Sequence, residues 1–420
     1  MADEPKRKKG YHGKGYTRSY PTKGGLRWRY EIYVPRDPLR PELGTHKDGG
    51  RGGFLTEKDA DKAKAKALAD AARGLRVGAK TPTLAEFAAQ WLAAREADPD
   101  LETSTVNGDR RRLTVHVLPR IGDKHLDAIT TTMLNTLYAQ LRTELPLNLP
   151  ATGRWSAANR KPLGANSVLK IATMMGDLFD SAVDDRHILD NPAKGRGVKT
   201  PKREAVVKEA APMTVWNQDQ MTAFMLWLKE TRKDSDYPLW ATYAATGARR
   251  SEVLALRWSD IDMKNNRVYI RRTLDVEKPG HTKAPKNGHP RDFGVTPTLI
   301  ATLKEWRRLL ASRDINLVRG DRWVFPMPGA WDRHRNANST SEMFTRRVEW
   351  AQKDLGADTL PSIHLHEVRH SAATILITNG VDVKTVSERL GHESVKITLD
   401  IYTHVTKQSD DRAAALLDFG

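Results

Sequence analysis

The sequence predicts a mainly α-helical chain with small β elements. Apolar residues recur at helical spacing over most of the chain from residue 84 onward. Alternation typical of strands is confined to short stretches, chiefly 26–34 and 267–272. These patterns predict four regions: a basic disordered arm (1–25), a small β-sheet with one helix (26–75), an all-helical domain (82–200) and a mixed α+β domain with a C-terminal tail (211–420).

The N-terminal region carries the first strand pattern. Trp28, Tyr30 and Ile32 alternate with other residues, and a Pro- and Gly-rich turn region follows at 35–53, with room for one more short strand. Thr56, with an acid three residues on, predicts the start of a helix that continues to residue 72. A small sheet with basic residues around it suits a reader of a DNA groove, and a basic structural hairpin is an equal alternative.

Four helices are expected in the all-helical domain. A capping box at Thr83 and Glu86 begins the first. The second covers 104–117, the third covers 130–141, and Asn166 or Ser167 caps the fourth. The polar stretch 142–165 is interpreted as an insertion rather than a DNA-contacting loop, and 194–212 as a basic linker.

The last region mixes helices with one β-hairpin. Asn217 and Gln220 predict a helix start, and a further helix is interrupted at Thr246 and Gly247. The strand at 267–272 has a returning partner around Phe293 and Val295. Helices are predicted at 297–310, 341–354, 366–379 and 383–390, and 326–340 is expected to be an irregular loop.

The charge of the chain points to a polyanionic partner. There are 69 Lys and Arg residues against 52 Asp and Glu, which gives a net charge of +17 and a pI of about 9.8. Residues 1–75 hold 18 of the basic and 10 of the acidic residues, a net +8, so positive charge is densest there. The absence of cysteine excludes disulfides, thiolate metal sites and a cysteine nucleophile. No apolar run approaches the roughly 18 residues of a membrane span, and no signal peptide is expected.

The segment His366-Glu367-Val368-Arg369-His370 admits two interpretations. It matches the H-E-x-x-H pattern of zinc proteases, in which both histidines bind the metal and Glu367 is the base. That interpretation needs a third ligand, for which Glu388 and Glu393 are the nearby candidates, and it sets the cation of Arg369 beside a metal. We therefore disfavour it.

The other interpretation uses several motifs in order. The stretch 246–258 (TGARRSEVLALRW), then His366-x-x-Arg369-His370, Leu390-Gly391-His392 and Tyr402-Thr403-His404 together resemble the tyrosine recombinases, the phage-integrase family. The resemblance is close over about 210–410. It extends more weakly to a helical core-binding domain (82–200) and to an arm-type DNA-binding domain.

The resemblance implies a site-specific recombinase that integrates, and with a helper factor excises, a phage or other integrative element through a 3′-phosphotyrosyl intermediate. Two arginines suit the charge that develops on a phosphodiester under attack. The residues implied as catalytic are Arg249, Lys283, His366, Arg369, His392 and the nucleophile Tyr402, with Lys286 as an alternative to Lys283. Glu252 is expected to support Arg249 by a buried pair, whereas His364, His370 and His404 are expected to be structural.

The expected partners follow from the same resemblance. They are double-stranded DNA at core and arm sites, a homo-tetramer on that DNA, a host bending protein and an excision factor, in the bacterial nucleoid and without a membrane. Candidate DNA contacts are Arg27, Arg29, Arg110 and Arg111. No metal or other cofactor is expected. The residues at 412–419 predict a short amphipathic helix that docks on a neighbouring protomer or packs on its own. A type IB-like topoisomerase and an inactive DNA-binding regulator are the competing functions.

Overall fold

The chain divides into two compact units, Met1–Ala211 and Pro212–Gly420. The computed structural model describes residues 15–35, 45–72, 81–147, 161–209, 213–278, 280–285, 290–396 and 398–399. The expected fold class, mainly α with small β elements, is confirmed. Within the described residues, none of the helices combines the length and apolar character needed to cross a bilayer.

The first unit begins with a three-stranded antiparallel sheet in the order β1-β2-β3, formed by Tyr16–Thr22, Gly25–Pro35 and Thr45–Phe54. Helix α1 (Glu57–Ala72) follows Thr56, whose hydroxyl accepts the N–H of Asp59 at 3.1 Å. Tyr30 and Ile32 of β2 are buried with Ala67 of α1. Because side chains alternate along a strand, Arg27 and Arg29 lie on the opposite, open face of the sheet.

One expectation for this region was wrong, and another was right about a strand but not about its length. The stretch Tyr16–Thr22, placed in the disordered arm, pairs along its whole length with β2. The segment with room for one short strand contains the ten-residue β3. Its glycines carry no alternating pattern, and the strand is held by its ladder with β2.

Helices form the rest of the described part of the first unit. Their bounds are Leu84–Ala97 (α2), Thr103–Arg112 (α3), Leu118–Ile121 (α4), Thr131–Thr143 (α5), Ala165–Asp184 (α6) and Arg203–Glu209 (α7). The predicted capping box at Thr83 and Glu86 is present, and such a cap stabilises a helix by about 1 kcal/mol. A π-helical turn, Leu113–Val117, joins α3 to α4, and the helical stretch ends at Ile121. Leu113, Phe87 and Phe179 are among the fully buried side chains of this helical core.

The boundaries of two helices differ from expectation. Helix α6 begins after Gly164 without a side-chain cap, so the caps predicted at Asn166 and Ser167 were wrong. Helix α7 lies inside the stretch interpreted as a linker, where Glu209 bonds the side chain of Arg142 and accepts the N–H of Ala165 at 2.8 Å. Residues 148–160 of the predicted insertion lie outside the described residues.

The second unit packs helices around a core rich in aromatic residues, in which the ring of Phe344 contacts those of Trp216, Phe224 and Trp240. Its helices are Gln218–Leu226 (α8), Tyr237–Thr246 (α9), Arg250–Val253 (α10), Pro297–Arg313 (α11), Ala337–Leu355 (α12), Leu365–Thr378 (α13) and Val383–Leu390 (α14). Its strands are Ile261–Asp262 (β4), Arg267–Ile270 (β5), Thr273–Leu274 (β6), Thr282–Lys283 (β7), Arg291–Gly294 (β8), Pro326–Met327 (β9) and Ala330–His334 (β10).

The predicted hairpin is confirmed, because β5 pairs antiparallel with β8 in the sheet β4-β5-β8. A second pair, β6 and β7, sets Lys283 opposite Thr273. The expectation of an irregular loop at 326–340 was wrong in part, since β9 and β10 form a small hairpin there and α12 starts at Ala337.

Candidate active site

Arg249 follows a sharp turn between α9 and α10. Gly247 ends α9 in the left-handed conformation (φ +58°), and a Cβ at this position would lie 2.5 Å from Leu390 Cδ2. The Arg249 side chain, 28% exposed, donates from Nη1 to Glu252 Oε1 at 3.1 Å and from Nη2 to the Gly391 carbonyl at 2.7 Å. The turn therefore needs glycine, and it directs the arginine toward α14.

Arg369 reaches the same turn from α13. The residue is only 4% exposed, and its Nη1 donates to the Gly247 carbonyl at 2.9 Å. Its Nη2 is buried and has no hydrogen-bond partner among the described residues. Burial, reinforced by the charge of Arg249, lowers the pKa of Arg369 to about 9, so the group stays cationic at neutral pH. A buried guanidinium with an unused donor is suited to an anionic ligand.

His392 follows a second left-handed glycine. Gly391 (φ +66°) ends α14, and the His392 N–H donates to the Ser387 carbonyl at 3.0 Å. The imidazole Nδ1 lies 2.7 Å from the Thr398 hydroxyl oxygen, which fixes the ring. Burial, then the charges of Arg369 and Arg249, lowers the pKa of His392 to about 3. The imidazole is therefore neutral at pH 7 in the free protein.

His366 and His370 are one helical turn apart on α13, with ring centroids 4.8 Å apart. The His366 side chain is partly exposed, and its partial desolvation, followed by the charge of Arg369, lowers its pKa. Burial also lowers the pKa of His370, to about 4. Glu367, between them in sequence, accepts the His364 N–H at 2.6 Å and so caps the start of α13. Its carboxylate thus has a structural role in place of the base role that the zinc interpretation assigned.

Glu252 is 1% exposed and lies between two arginines. The predicted pair with Arg249 is present, and Oε2 also accepts the Arg249 N–H at 2.8 Å. Arg291 bonds the same carboxylate through Nη1 (3.1 Å) and Nη2 (2.6 Å). Burial raises the pKa of Glu252, but the hydrogen bonds and charge of Arg291, with the contacts of Arg249, bring it below its ordinary value.

A cavity of about 370 Å³ opens beside these groups. It is lined by Arg249, Pro285, Arg291, Lys384, Ser387, Glu388, Gly391, His392, Glu393, Ser394 and Val395. Lys283 lies on β7, two residues before Pro285, and is partly buried. The structure therefore brings Arg249, Arg369 and His392 together, and the chain runs from Lys283 on β7 into the cavity wall at Pro285. Lys286, Tyr402, His404 and the predicted helix at 412–419 lie outside the described residues.

Residues 215–409 match the sequence model of the phage integrase family. This part of the chain belongs to that family, the tyrosine recombinases. It is 28% identical over 268 residues to the ICEBs1 integrase of Bacillus subtilis, a match that covers 61% of this chain and 66% of that relative. The matched part thus spans just under two thirds of the relative.

Two solved structures share the fold of this chain. The Tn1549 transposon integrase in complex with a circular intermediate DNA superposes with a TM-score of 0.62 at 18% identity, over 80% of this chain and 100% of that one. A lambda integrase tetramer bound to a Holliday junction gives a TM-score of 0.54 at 15% identity, over 91% of this chain and 94% of the other.

The candidate DNA contacts lie in the first unit. Arg29 and Arg18 are cross-strand partners on the open face of the sheet, as are Arg27 and Tyr20. Glu31 on the same face lies 3.0 Å from Arg29 and 3.3 Å from Lys47, so the cations are clustered around one acid. On α3, Arg111 is exposed, whereas Arg110 is paired with Glu96.

Sequence reasoning missed Arg291 as a site residue. The sequence feature that could have indicated Arg291 is its position at the start of β8, the strand that follows the segment containing Lys283. That position does not reveal its partner, because Glu252 is 39 residues away in sequence.

Proposed function

We propose that this chain is a site-specific DNA recombinase that cuts and rejoins strands through a 3′-phosphotyrosyl intermediate on Tyr402. The observation that carries the proposal is the convergence of Arg249 and Arg369 on the Gly247 turn beside His392. The unused Nη2 of Arg369 gives this arrangement a donor for a non-bridging phosphate oxygen. The names of the related integrases support the same reaction class.

The proposed chemistry balances without a cofactor. The Tyr402 oxygen attacks phosphorus and its proton passes to His366, whose lowered pKa leaves it neutral and able to accept. The P–O5′ bond breaks, and Lys283 gives the leaving oxygen its proton. In the reverse step a 5′-hydroxyl attacks the phosphotyrosine and gives its proton to Lys283, and the Tyr402 oxygen leaves and takes its proton back from His366. Arg249, Arg369 and His392 hold the phosphate throughout.

The wider arrangement belongs to the same proposal. Residues 26–75, extended to include β1, contact arm sites, residues 82–200 contact the core site, and residues 211–420 perform the chemistry. The lambda integrase tetramer on a Holliday junction supports a homo-tetramer as the working assembly. In the same proposal, a host bending protein and an excision factor take part in the reaction, and the chain acts at the bacterial nucleoid.

The nucleophile is tested on a nicked duplex that contains the core site, which is sought in the DNA flanking the gene. We expect the wild-type chain to leave a protein–DNA adduct that resists denaturant. Tyr402→Phe removes the attacking oxygen, so it should abolish the adduct while DNA binding persists. An adduct formed by Tyr402→Phe would show that another residue attacks. Adduct formation, together with relaxation of supercoiled DNA but no strand exchange, would favour a topoisomerase. Binding without an adduct would favour an inactive regulator.

The general acid is tested with a substrate whose 5′-bridging oxygen is replaced by sulfur. A thiolate is a good leaving group without a proton, so loss of the true acid should do little harm on this substrate. We expect Lys283→Ala to be slow on the ordinary duplex and to recover on the sulfur substrate. Lys286→Ala is the matched control, and recovery of that variant instead would move the role to Lys286.

A further inference from the structure

The Arg291 side chain is hydrogen-bonded to α10 and α14, the helices next to Arg249 and His392. Its two terminal nitrogens bond both oxygens of Glu252, at 3.1 and 2.6 Å. Its Nε donates to the Arg389 carbonyl near the end of α14, at 3.0 Å. The side chain is only 12% exposed. Each of its three nitrogens thus has a partner within the protein. Glu252 bonds Arg249, and Arg389 precedes His392 by three residues.

The Glu252 carboxylate accepts more side-chain hydrogen bonds from Arg291 than from Arg249. Arg291 takes it in two-point fashion, whereas the Arg249 side chain reaches it through Nη1 alone. The second terminal nitrogen of Arg249 is bonded to the Gly391 carbonyl. A buried carboxylate attracts cations strongly because little solvent screens it. Without Arg291, Glu252 would draw Arg249 into the two-point contact.

Arg291 also packs against the turn that carries His392. A Cβ on Gly391 would lie 3.0 Å from both Cζ and Nη1 of Arg291. The carbonyl of the same glycine accepts from Arg249. Arg291 therefore contacts both the acid that holds Arg249 and the turn that precedes His392. In sequence it opens β8, at the end of the segment that begins with Lys283 on β7.

We propose that Arg291 is a positioning residue for phosphoryl transfer. It occupies the Glu252 carboxylate so that Arg249 remains available to the scissile phosphate, and it fixes the Gly391–His392 turn. This role rests on the proposed recombinase function.

The first experiment measures single-turnover adduct formation by the full chain on the nicked core-site duplex. We expect Arg291→Met to slow the reaction by about 10²-fold, the effect of a displacement of about 1 Å in an active site, with unchanged affinity for the duplex. Arg291→Lys keeps the charge but only one contact, so its rate should be intermediate. Arg347→Met is the matched control. Arg347 is also 12% exposed and bonds both oxygens of an aspartate, but its partners Asp234 and Asp236 are outside the site.

A second substrate separates positioning from a general loss of structure. A methylphosphonate at the scissile position carries no negative charge, so it needs Arg249 less. If Arg291 acts through Arg249, the ratio of wild-type to Arg291→Met rates should shrink at least several-fold on this substrate. A merely structural defect would leave the ratio the same on both substrates, and that result would overturn the proposal.

The double variant Arg291→Met with Glu252→Gln tests the route through the carboxylate. Removing the charge that captures Arg249 should make the double variant faster than Arg291→Met alone. It also removes a buried charge that, in the single variant, has lost one of its two arginine partners. A double variant no faster than the single one would mean that Arg291 itself binds the phosphate, against our proposal. If the wild-type chain forms no adduct, the proposed function fails. If it does, and Arg291→Met matches Arg347→Met, only the positioning role fails.

Discussion

Three guanidinium groups surround the buried Glu252 carboxylate at the scale of single residues. Arg249 and Arg291 bond it, and its charge acts on Arg369. The local balance is positive, and burial prevents water from screening it. The same balance keeps the nearby His392 neutral, because burial and the arginine charges lower its pKa. Such a site is preorganised for an anion that brings the missing negative charge, as a phosphodiester does.

A half-buried histidine outside this site, His116, gives a prediction on pH and stability. Burial, followed by the charges of Arg120 and Arg111, lowers the pKa of His116 from 6.5 to about 4. Between these values the unfolded chain binds a proton that the folded chain does not, so the stability contributed by His116 is complete above pH 6.5 and is lost as pH falls toward 4. We expect His116→Gln to flatten the decline of the thermal unfolding midpoint over this window.

The measurement compares the two pH profiles rather than the absolute midpoints, because the substitution also changes packing. Other groups that titrate in this window act equally in both proteins and cancel in the comparison. Parallel profiles for the wild type and His116→Gln would contradict a neutral buried imidazole.

Helix α7 gives a prediction at the scale of elements. Gly164 offers no side-chain cap to α6, and Glu209 at the end of α7 accepts the Ala165 N–H instead. Glu209→Ala should therefore expose the first amides of α6 and speed their hydrogen exchange. Glu209→Gln retains an acceptor and should have a smaller effect. Glu204→Ala, an exposed acid on the same helix, is the control. Unchanged exchange in Glu209→Ala would mean that the contact does not persist in solution.

The elements that the sequence predicted are those with a local cause. The capping boxes at Thr83 and Asn217 need only a partner three residues away, and both are present. Helix α7 and strand β3 lack such a cause. The first is tied by Glu209 to Arg142, 67 residues earlier, and the second is a Gly-rich ladder partner of β2.

The candidate site shows the same limit. Motif order predicted Arg249, Arg369 and His392, which the structure brings together. The Gly391 carbonyl that binds Arg249 is 142 residues away from it, so sequence spacing alone gives no sign of that contact. Arg291 was missed for the same reason: its function as we propose it depends on a fold-dependent encounter with Glu252.

At the scale of the whole molecule, the net charge of +17 should make DNA binding strongly salt-dependent. The open face of the sheet allows a test with two variants of opposite sign. Arg29 and Lys47 lie near Glu31, and Tyr16 donates to the same carboxylate at 2.8 Å. If this face contacts phosphates, Arg29→Ala should weaken binding and reduce the slope of log affinity against log salt by about 0.9, the change for one phosphate contact. Glu31→Gln keeps an acceptor for Tyr16 and releases the cations from their acid. It should strengthen binding and steepen the slope.

Fluorescence anisotropy on a labelled arm-site duplex, from about 50 to 200 mM salt, measures both slopes. The comparison is informative because the two residues are neighbours on one strand face, so a general disturbance of the sheet would weaken binding in both variants. Opposite shifts require that DNA responds to the charge of this face. If neither substitution changes the slope, the phosphates contact another surface, and the exposed Arg111 on α3 becomes the next position to substitute.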